Sequence, residues 1–95
     1  MPLELIRTKG FQFRTVSYGF VLQDPNTGGE LKCAVSSAAM DDAERRHGMP
    51  SHERDAQFER LKTRIVDCAS RKFLFGQIEE SEPRVLVRSE DLNKV

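Results

Sequence analysis

The sequence predicts an α+β protein, with a small antiparallel sheet of about three strands (a hairpin plus a C-terminal strand) covered on one face by a short and a long helix. Three observations lead to this class. Apolar residues alternate with period two in the first third of the chain, and they recur with the helical period in the second half. The elements also follow in the order strand, strand, helix, helix, strand, which separates helices from sheet.

The start of the chain gives the weakest pattern. Phe11 and Phe13 fall on the opposite parity from the strand that follows, so the alternation slips between Phe13 and Val16. A bulge, a bend or a separate short strand would each produce this slip, and the sequence leaves all three open. Residues 1–10 are expected to be a poorly ordered or peripheral segment of one domain that spans residues 1–95.

The hairpin is predicted from two alternating segments. Every second position of residues 15–22 is apolar, which is typical of a strand with one buried face. These positions are Val16, Tyr18, Phe20 and Leu22. Turn-forming residues fill positions 24–29, after which the alternation resumes, so the two strands should pair in antiparallel fashion. The resumed positions are Leu31, Cys33 and Val35.

A short helix should follow the hairpin. Ser36 and Ser37 can each cap a helix N-terminus, residues 38–46 are good helix formers, and Gly48 can end the helix. Its acidic and basic residues lie four positions apart, which favours exposed ion pairs. The predicted pairs are Asp41 with Arg45 and Asp42 with Arg46.

A long helix is predicted from Ser51, as its cap, to about Phe75, with Gly76 as the stop signal. Its apolar residues recur at spacings of three and four, so they form one stripe that should pack on the sheet. The stripe consists of Phe58, Leu61, Ile65, Ala69 and Phe73. Residues 84–88 then predict a short strand that pairs with one arm of the hairpin, and Ser89 can cap a terminal turn.

Composition limits the function classes. The chain has 95 residues, which is the size of one domain, and it is 38% hydrophobic and 32% charged. Because 15 Lys and Arg residues balance 15 Asp and Glu residues, the formal net charge is +0. This balance removes the general attraction to nucleic acids and anionic membranes, so any such binding has to be local.

The sequence also predicts a cytoplasmic protein without a membrane segment. Its longest apolar runs are three residues, whereas a membrane-spanning helix needs about 20 residues. The N-terminal residues lack the apolar stretch of a secretory signal. Cys33 and Cys68 both fall within apolar patterns, where reduced and buried thiols are expected.

The candidate catalytic and metal-binding residues each have a structural explanation. The residues able to bind zinc are scattered, whereas zinc sites usually contain close pairs of ligands. They are Cys33, His47, His52 and Cys68. Cys68 lies within the predicted long helix, in the manner of a small core residue. The sequence therefore predicts no catalytic residue, no cofactor and no metal.

Carboxylates on the short helix and a glycine-rich turn are the remaining candidates for catalytic or phosphate-binding residues. Asp41, Asp42 and Glu44 share a helix with arginines, which favours a solvated face over acid–base catalysis. The Thr27-Gly28-Gly29 segment joins two strands and lacks the phosphate-binding pattern. These observations incline against an enzyme.

One basic set carries a functional hypothesis. Arg60, Arg64, Arg71 and Lys72 lie near one face of the long helix and could hold phosphates. Two observations argue against phosphate binding. Asp67 lies on the same face, and residues 40–76 carry eight Lys and Arg against seven Asp and Glu, an excess of only one charge. A solvated helix face is the competing interpretation.

Three motifs resemble a known family of short bacterial proteins, the domain-of-unknown-function family numbered fourteen eighty-eight. Residues 31–36 are similar to the family's v-x-C-a-I-S strand end. Residues 58–72 are similar to its F-x5-R-I-x3-A-x2-K helix. Residues 85–92 are similar to its closing strand and turn. The resemblance covers about residues 13–92 and implies an α+β fold, without an established activity, ligand or partner.

These observations favour an uncharacterised protein that acts through protein–protein contacts, without catalysis of its own. A sheet of three strands has two edges, so a homodimer or a strand from a partner protein is a reasonable occupant. The alternative is a nucleic-acid accessory protein that uses Arg60, Arg64, Arg71 and Lys72.

Overall fold

The computed structural model describes residues 3–93 and confirms the α+β class. Within these residues the sheet has four strands instead of about three, in the order β1-β2-β3-β4. The strands are β1 (Glu4–Gln12), β2 (Ser17–Gln23), β3 (Glu30–Ser36) and β4 (Val85–Val87). The helices are α1 (Ser37–Glu44), α2 (Arg54–Leu74) and α3 (Ser89–Leu92), and a 3₁₀ turn (Ser51–Glu53) precedes α2.

The additional strand, β1, lies where a poorly ordered or peripheral segment was expected. From Glu4 onward this segment pairs antiparallel with β2 and forms one edge of the sheet, whereas Met1 and Pro2 lie outside the described residues. Its register shifts twice, between Leu5 and Arg7 and between Thr8 and Gly10. These bulges disturb the alternation, which is why the sequence pattern did not reveal the strand.

The hairpin of β2 and β3 is confirmed and lies at the centre of the sheet. Tyr18, Phe20 and Leu22 are buried on the face that carries the core. All three helices contribute side chains to the same core, so they lie on this face. The other face carries the alternate positions of β2, among them Gly19 and Val21.

The last strand, β4, pairs with β3 as expected, but the pairing is parallel. Two parallel neighbours need a crossover connection, and here α1 and α2 lie within it. The sheet is therefore mostly antiparallel, with one parallel pair at the edge opposite β1.

The short helix α1 begins as expected and ends earlier. The Ser36 hydroxyl accepts a hydrogen bond from the backbone N–H of Ala39 at 3.1 Å, which makes Ser36 its cap. Arg45 adopts the left-handed conformation with φ of 55° and ends the helix three residues before Gly48. The two expected ion pairs within this helix do not form, because Asp41 binds Arg54 and Asp42 accepts a hydrogen bond from Ser89.

The long helix α2 covers the sheet with the predicted stripe. Phe58, Ile65 and Ala69 are fully buried, Leu61 is 7% exposed and Phe73 is partly buried. Phe58 stacks on Tyr18 with ring centroids 4.6 Å apart, which joins the helix to the central strand. Ser51 lies in the 3₁₀ turn, and Glu53 occupies the cap position of α2, so the helix begins two residues later than expected.

Candidate functional site

The basic set singled out from the sequence lies on α2, but its four side chains have different surroundings. Its members are Arg60, Arg64, Arg71 and Lys72. The Arg60 guanidinium donates two hydrogen bonds to the Glu44 carboxylate on α1, at 2.7 and 2.9 Å. These bonds lower the pKa of Glu44. Arg71 pairs with Asp67 one turn earlier on the same helix. Both arginines are exposed, but each is already matched by a carboxylate.

Lys72 belongs to the interior instead of the surface. It is only 8% exposed, and its Nζ atom lies 2.6 Å from Oδ2 of Asp91 in α3. Asp91 also accepts a hydrogen bond from the backbone N–H of Arg88 at 3.0 Å. Burial raises the pKa of Asp91, but the hydrogen bonds from Lys72 and Arg88 outweigh it, and the net pKa is lower than usual. Lys72 therefore ties α3 to α2.

Arg64 is the remaining member of the set. Its Nη2 atom donates to the backbone carbonyl of Leu92 at 3.4 Å. Among residues 3–93, no carboxylate lies within ion-pair distance of Arg64. Within the described residues, these four basic side chains thus include one cation without a carboxylate partner, instead of a row of four.

A groove of about 390 Å³ runs beside this cation, between the C-terminal half of α2 and α3. Arg64, Cys68 and Phe75 line it from α2 and its end, and Leu92 lines it from α3. Cys68 is half-buried, and its pKa is raised, mainly by burial and also by the nearby Asp91 carboxylate. A raised pKa favours the protonated thiol over the nucleophilic thiolate.

Apolar side chains project from the end of α2 next to this groove. Leu74 is 62% exposed, Phe75 is 78% exposed and Ile78 is 38% exposed. The helix ends here because Gly76 turns the chain with φ of 75°, and its N–H bonds the carbonyl of Phe73 at 3.1 Å. We call Leu74, Phe75 and Ile78 the apolar cap.

A buried polar cluster connects α1 to the start of α2. Nη1 of Arg54 lies 2.6 Å from Oδ1 of Asp41 and 2.6 Å from Oε1 of Gln57. Gln57 also donates to Asp41 at 3.1 Å. The Arg54 guanidinium lies over the Phe11 ring, 5.4 Å from its centroid. Burial raises the pKa of Asp41, but the bonds from Arg54 and Gln57 outweigh it and hold that pKa below its usual value.

This cluster was not predicted from the sequence. The expectation of a solvated carboxylate is wrong for Asp41, which is 8% exposed. A signal was present in the helical period. Arg54 and Gln57 continue the apolar stripe of α2 toward its N-terminus, at four and one positions before Phe58. Polar residues in that phase had to be buried, and burial required partners.

The thiols and histidines do not form a metal centre in the described part of the chain, where no three potential ligands come together. Cys33 and Cys68 are free thiols, and Cys33 is buried in β3. Burial raises the pKa of Cys33 to about 12. For residues 3–93, none of the helices is long and apolar enough to cross a membrane.

The fold and the groove define a small α+β protein with one helix-covered sheet face and an apolar cap beside a surface groove. The profile of a family described as "Protein of unknown function (DUF1488)" matches residues 21–83, which is more than half of the chain. The chain therefore belongs to the DUF1488 family, which confirms the resemblance found in its motifs.

A solved structure from the same family has the same fold. The crystal structure of a protein of unknown function from Shewanella loihica PV-4 is similar with a TM-score of 0.75. The match covers 92% of this chain and 94% of that chain at 15% sequence identity. No curated protein matches the chain with significant similarity.

Proposed function

We propose that the chain is a protein-binding module that holds a segment of a partner protein against the apolar cap and the adjoining groove. The observation that carries this proposal is the exposure of Leu74, Phe75 and Ile78 within five consecutive residues. Single exposed apolar residues are common, but several large ones at the end of one helix are a feature that supports an interaction site. A polar rim beside such a patch is typical of protein interfaces.

The charge of the groove indicates the chemistry of the partner segment. Arg64 lines the groove, and among the described residues it has no carboxylate partner. A carboxylate on the partner would satisfy it, while an apolar side chain packs on Phe75. The preferred segment therefore combines an aromatic or aliphatic residue with nearby Asp or Glu residues.

The sheet edges support this choice of surface over strand addition. The edge strand β1 has two register shifts and carries the exposed Arg7 and Lys9, which are features that protect an edge from pairing. The other edge strand, β4, is only three residues long. The expected homodimer through a sheet edge thus has less support than contacts made by the end of α2.

The experiment is a selection of phage-displayed peptides on the purified protein, followed by titration of the selected peptide. We expect a consensus with an apolar residue beside acidic ones. Phe75→Ser should weaken binding about tenfold or more, because Phe75 is the central anchor. The matched control is Phe13→Ser, since Phe13 is 74% exposed in the β1–β2 turn, away from the cap.

The charge preference has its own pair of variants. Arg64→Gln should weaken the selected peptide, whereas Lys62→Gln should not, because Lys62 already pairs with Glu59 at 3.1 Å. A selected peptide that binds Phe75→Ser as well as the wild type contradicts the proposal. Concentration-dependent dimerisation that Phe75→Ser abolishes would mean that a second copy occupies the cap.

A further inference from the structure

The sheet face without helices carries a trough that the proposed function does not use. Neighbouring strands place Gly10, Gly19 and Ala34 side by side in one row across the sheet. Because the side chains in this row are small or absent, the sheet surface forms a depression there, bordered by the larger side chains of the neighbouring rows. The resulting cavity has a volume of about 340 Å³, and its lining includes Gly19, Ala34 and Ser17.

Basic side chains surround this cavity. Lys9 and Lys32 line it from β1 and β3, and Arg14 lines it from the turn after β1. In the described part of the chain, the only carboxylate in the lining is that of Glu82, which lies 3.3 Å from Nζ of Lys32. Within residues 3–93, Lys9 and Arg14 form no ion pair. Three cations therefore face one carboxylate.

Hydroxyl groups add a neutral donor to the same wall. Thr15 and Ser17 line the cavity, and their hydroxyl oxygens lie 2.6 Å apart. One hydroxyl proton is used within this pair, which leaves the second proton to donate to a ligand. Arginine, lysine and hydroxyl donors together match the acceptor oxygens of a phosphoryl group.

We propose that this trough binds a small phosphorylated molecule, whose phosphoryl group is held by Lys9, Arg14 and Lys32. The volume lies at the lower end of the range for small-molecule sites, about 300 to 1,000 Å³, and it exceeds the space needed by phosphate alone. Among residues 3–93, no aromatic side chain lines the trough, whereas sheet surfaces that bind single-stranded nucleic acid depend on aromatic stacking. The lining therefore favours a small molecule over a nucleic acid strand.

The trough lies on the sheet face opposite the helices, so the proposal stands independently of the apolar cap. The test is an NMR titration of the labelled full chain with three probes: AMP, pyrophosphate and adenosine. We expect saturable shifts of the Gly19, Lys32 and Ala34 amides with AMP, at a Kd of about 0.1 to 1 mM, and none with adenosine. Lys9→Gln combined with Lys32→Gln should weaken AMP about tenfold or more.

A steric variant keeps the charges and fills the trough. A Cβ atom at Gly19 would lie 3.2 Å from Cβ of Lys9, so Gly19→Ala should also weaken AMP binding. This variant, and Lys9→Gln alone, keep the proposal testable if the double variant does not fold. Lys62→Gln on α2 is the matched charge control and should bind AMP as the wild type does.

Several outcomes would overturn the proposal. These are the absence of saturable shifts with AMP and pyrophosphate up to about 20 mM, equal shifts with adenosine, or unchanged binding in the folded double variant. Tighter binding of a short oligothymidylate at the same amides, with a strong dependence on salt, would show a nucleic-acid surface instead.

Discussion

Arg54 and Asp41 show how much single residues decide in this chain. Burying the two charges requires removing both from water, and their hydrogen bonds to each other and to Gln57 compensate for that loss. The Nε atom of Arg54 is the exception, because it is buried and has no hydrogen-bond partner among the described residues. The cluster therefore depends on every remaining bond.

Asp41→Asn should destabilise the protein by about 3 to 5 kcal/mol, because it leaves the Arg54 charge buried without its counter-charge. The pH dependence follows from the lowered pKa of Asp41. Its stabilisation is complete above the unfolded-state pKa of about 3.9 and is lost as the pH falls through the lower folded-state value. Urea unfolding between about pH 2 and 7 measures both effects, and equal acid slopes for the variant and the wild type would contradict this assignment.

The two thiols should differ in reactivity. Cys33 is 3% exposed and its pKa is raised to about 12, whereas Cys68 lines the groove. At neutral pH a thiol reagent should label Cys68 faster than Cys33, and in urea the two rates should converge. Mass spectrometry of partly labelled protein gives the order. A Cys33–Cys68 disulfide in protein isolated under alkylating conditions would contradict the expectation of reduced thiols.

At the scale of elements, periodic patterns predicted those helices and strands whose buried face is visible within one segment of the chain. The alternation in β2 and the stripe of α2 each reflect one buried face, so both could be predicted. By contrast, the bulges hide the periodicity of β1, and the partner that stabilises the buried Arg54, Asp41, comes from another helix. Partners from distant segments leave no local signal.

The same reasoning limits what the sequence could show of the candidate site. The helical spacing showed that Arg60, Arg64, Arg71 and Lys72 lie near one face of α2. It could not show that Arg60 pairs with Glu44 on α1 or that Lys72 pairs with Asp91 in α3. The apolar cap could not be predicted either. Leu74 and Phe75 adjoin the stripe in sequence, but the structure leaves both exposed at the end of the helix.

The stripe of α2 gives the element-scale prediction. Leu61→Ala or Ile65→Ala should cost about 2 to 5 kcal/mol, because each removes buried methylene groups and leaves a cavity. Lys62→Ala should change stability by about 0.5 kcal/mol or less, since its side chain is 44% exposed and its ion pair lies on the surface. Urea midpoints of the three variants provide the comparison. Equal midpoints for Leu61→Ala and Lys62→Ala would contradict the packing of this helix.

At the scale of the whole molecule, charge is balanced in total, and many of the surface charges also form local pairs. Arg7 pairs with Glu30 across the sheet at 2.6 Å, and Arg88 lies 3.6 Å from Glu79. A surface of matched pairs produces little long-range attraction for polyanions. The nucleic-acid hypothesis for α2 therefore depends on local contacts alone.

Replacing Arg60, Arg64 and Arg71 together with glutamine tests that hypothesis. Folding should remain nearly intact, because exposed ion pairs contribute about 1 kcal/mol or less each. Neither the wild type nor the variant should show salt-dependent retention on heparin or a mobility shift of RNA. If the wild type binds with a clear salt slope and the variant does not, the nucleic-acid hypothesis for α2 is supported over protein binding.

The parallel pairing of β3 with β4 has a consequence for the order of folding. β1, β2 and β3 are joined by short turns, so their contacts close small loops, whereas β4 must return from about 50 residues away in the chain. Because α2 lies within this connection, we expect β4 to pair with β3 only after the helix has docked on the hairpin. In pulse-labelling hydrogen exchange during refolding, the amides of β2 and β3 should become protected before those of Val85–Val87, and simultaneous protection would contradict this order. On this expectation, a nascent chain that ends before β4 would carry β3 as an open edge.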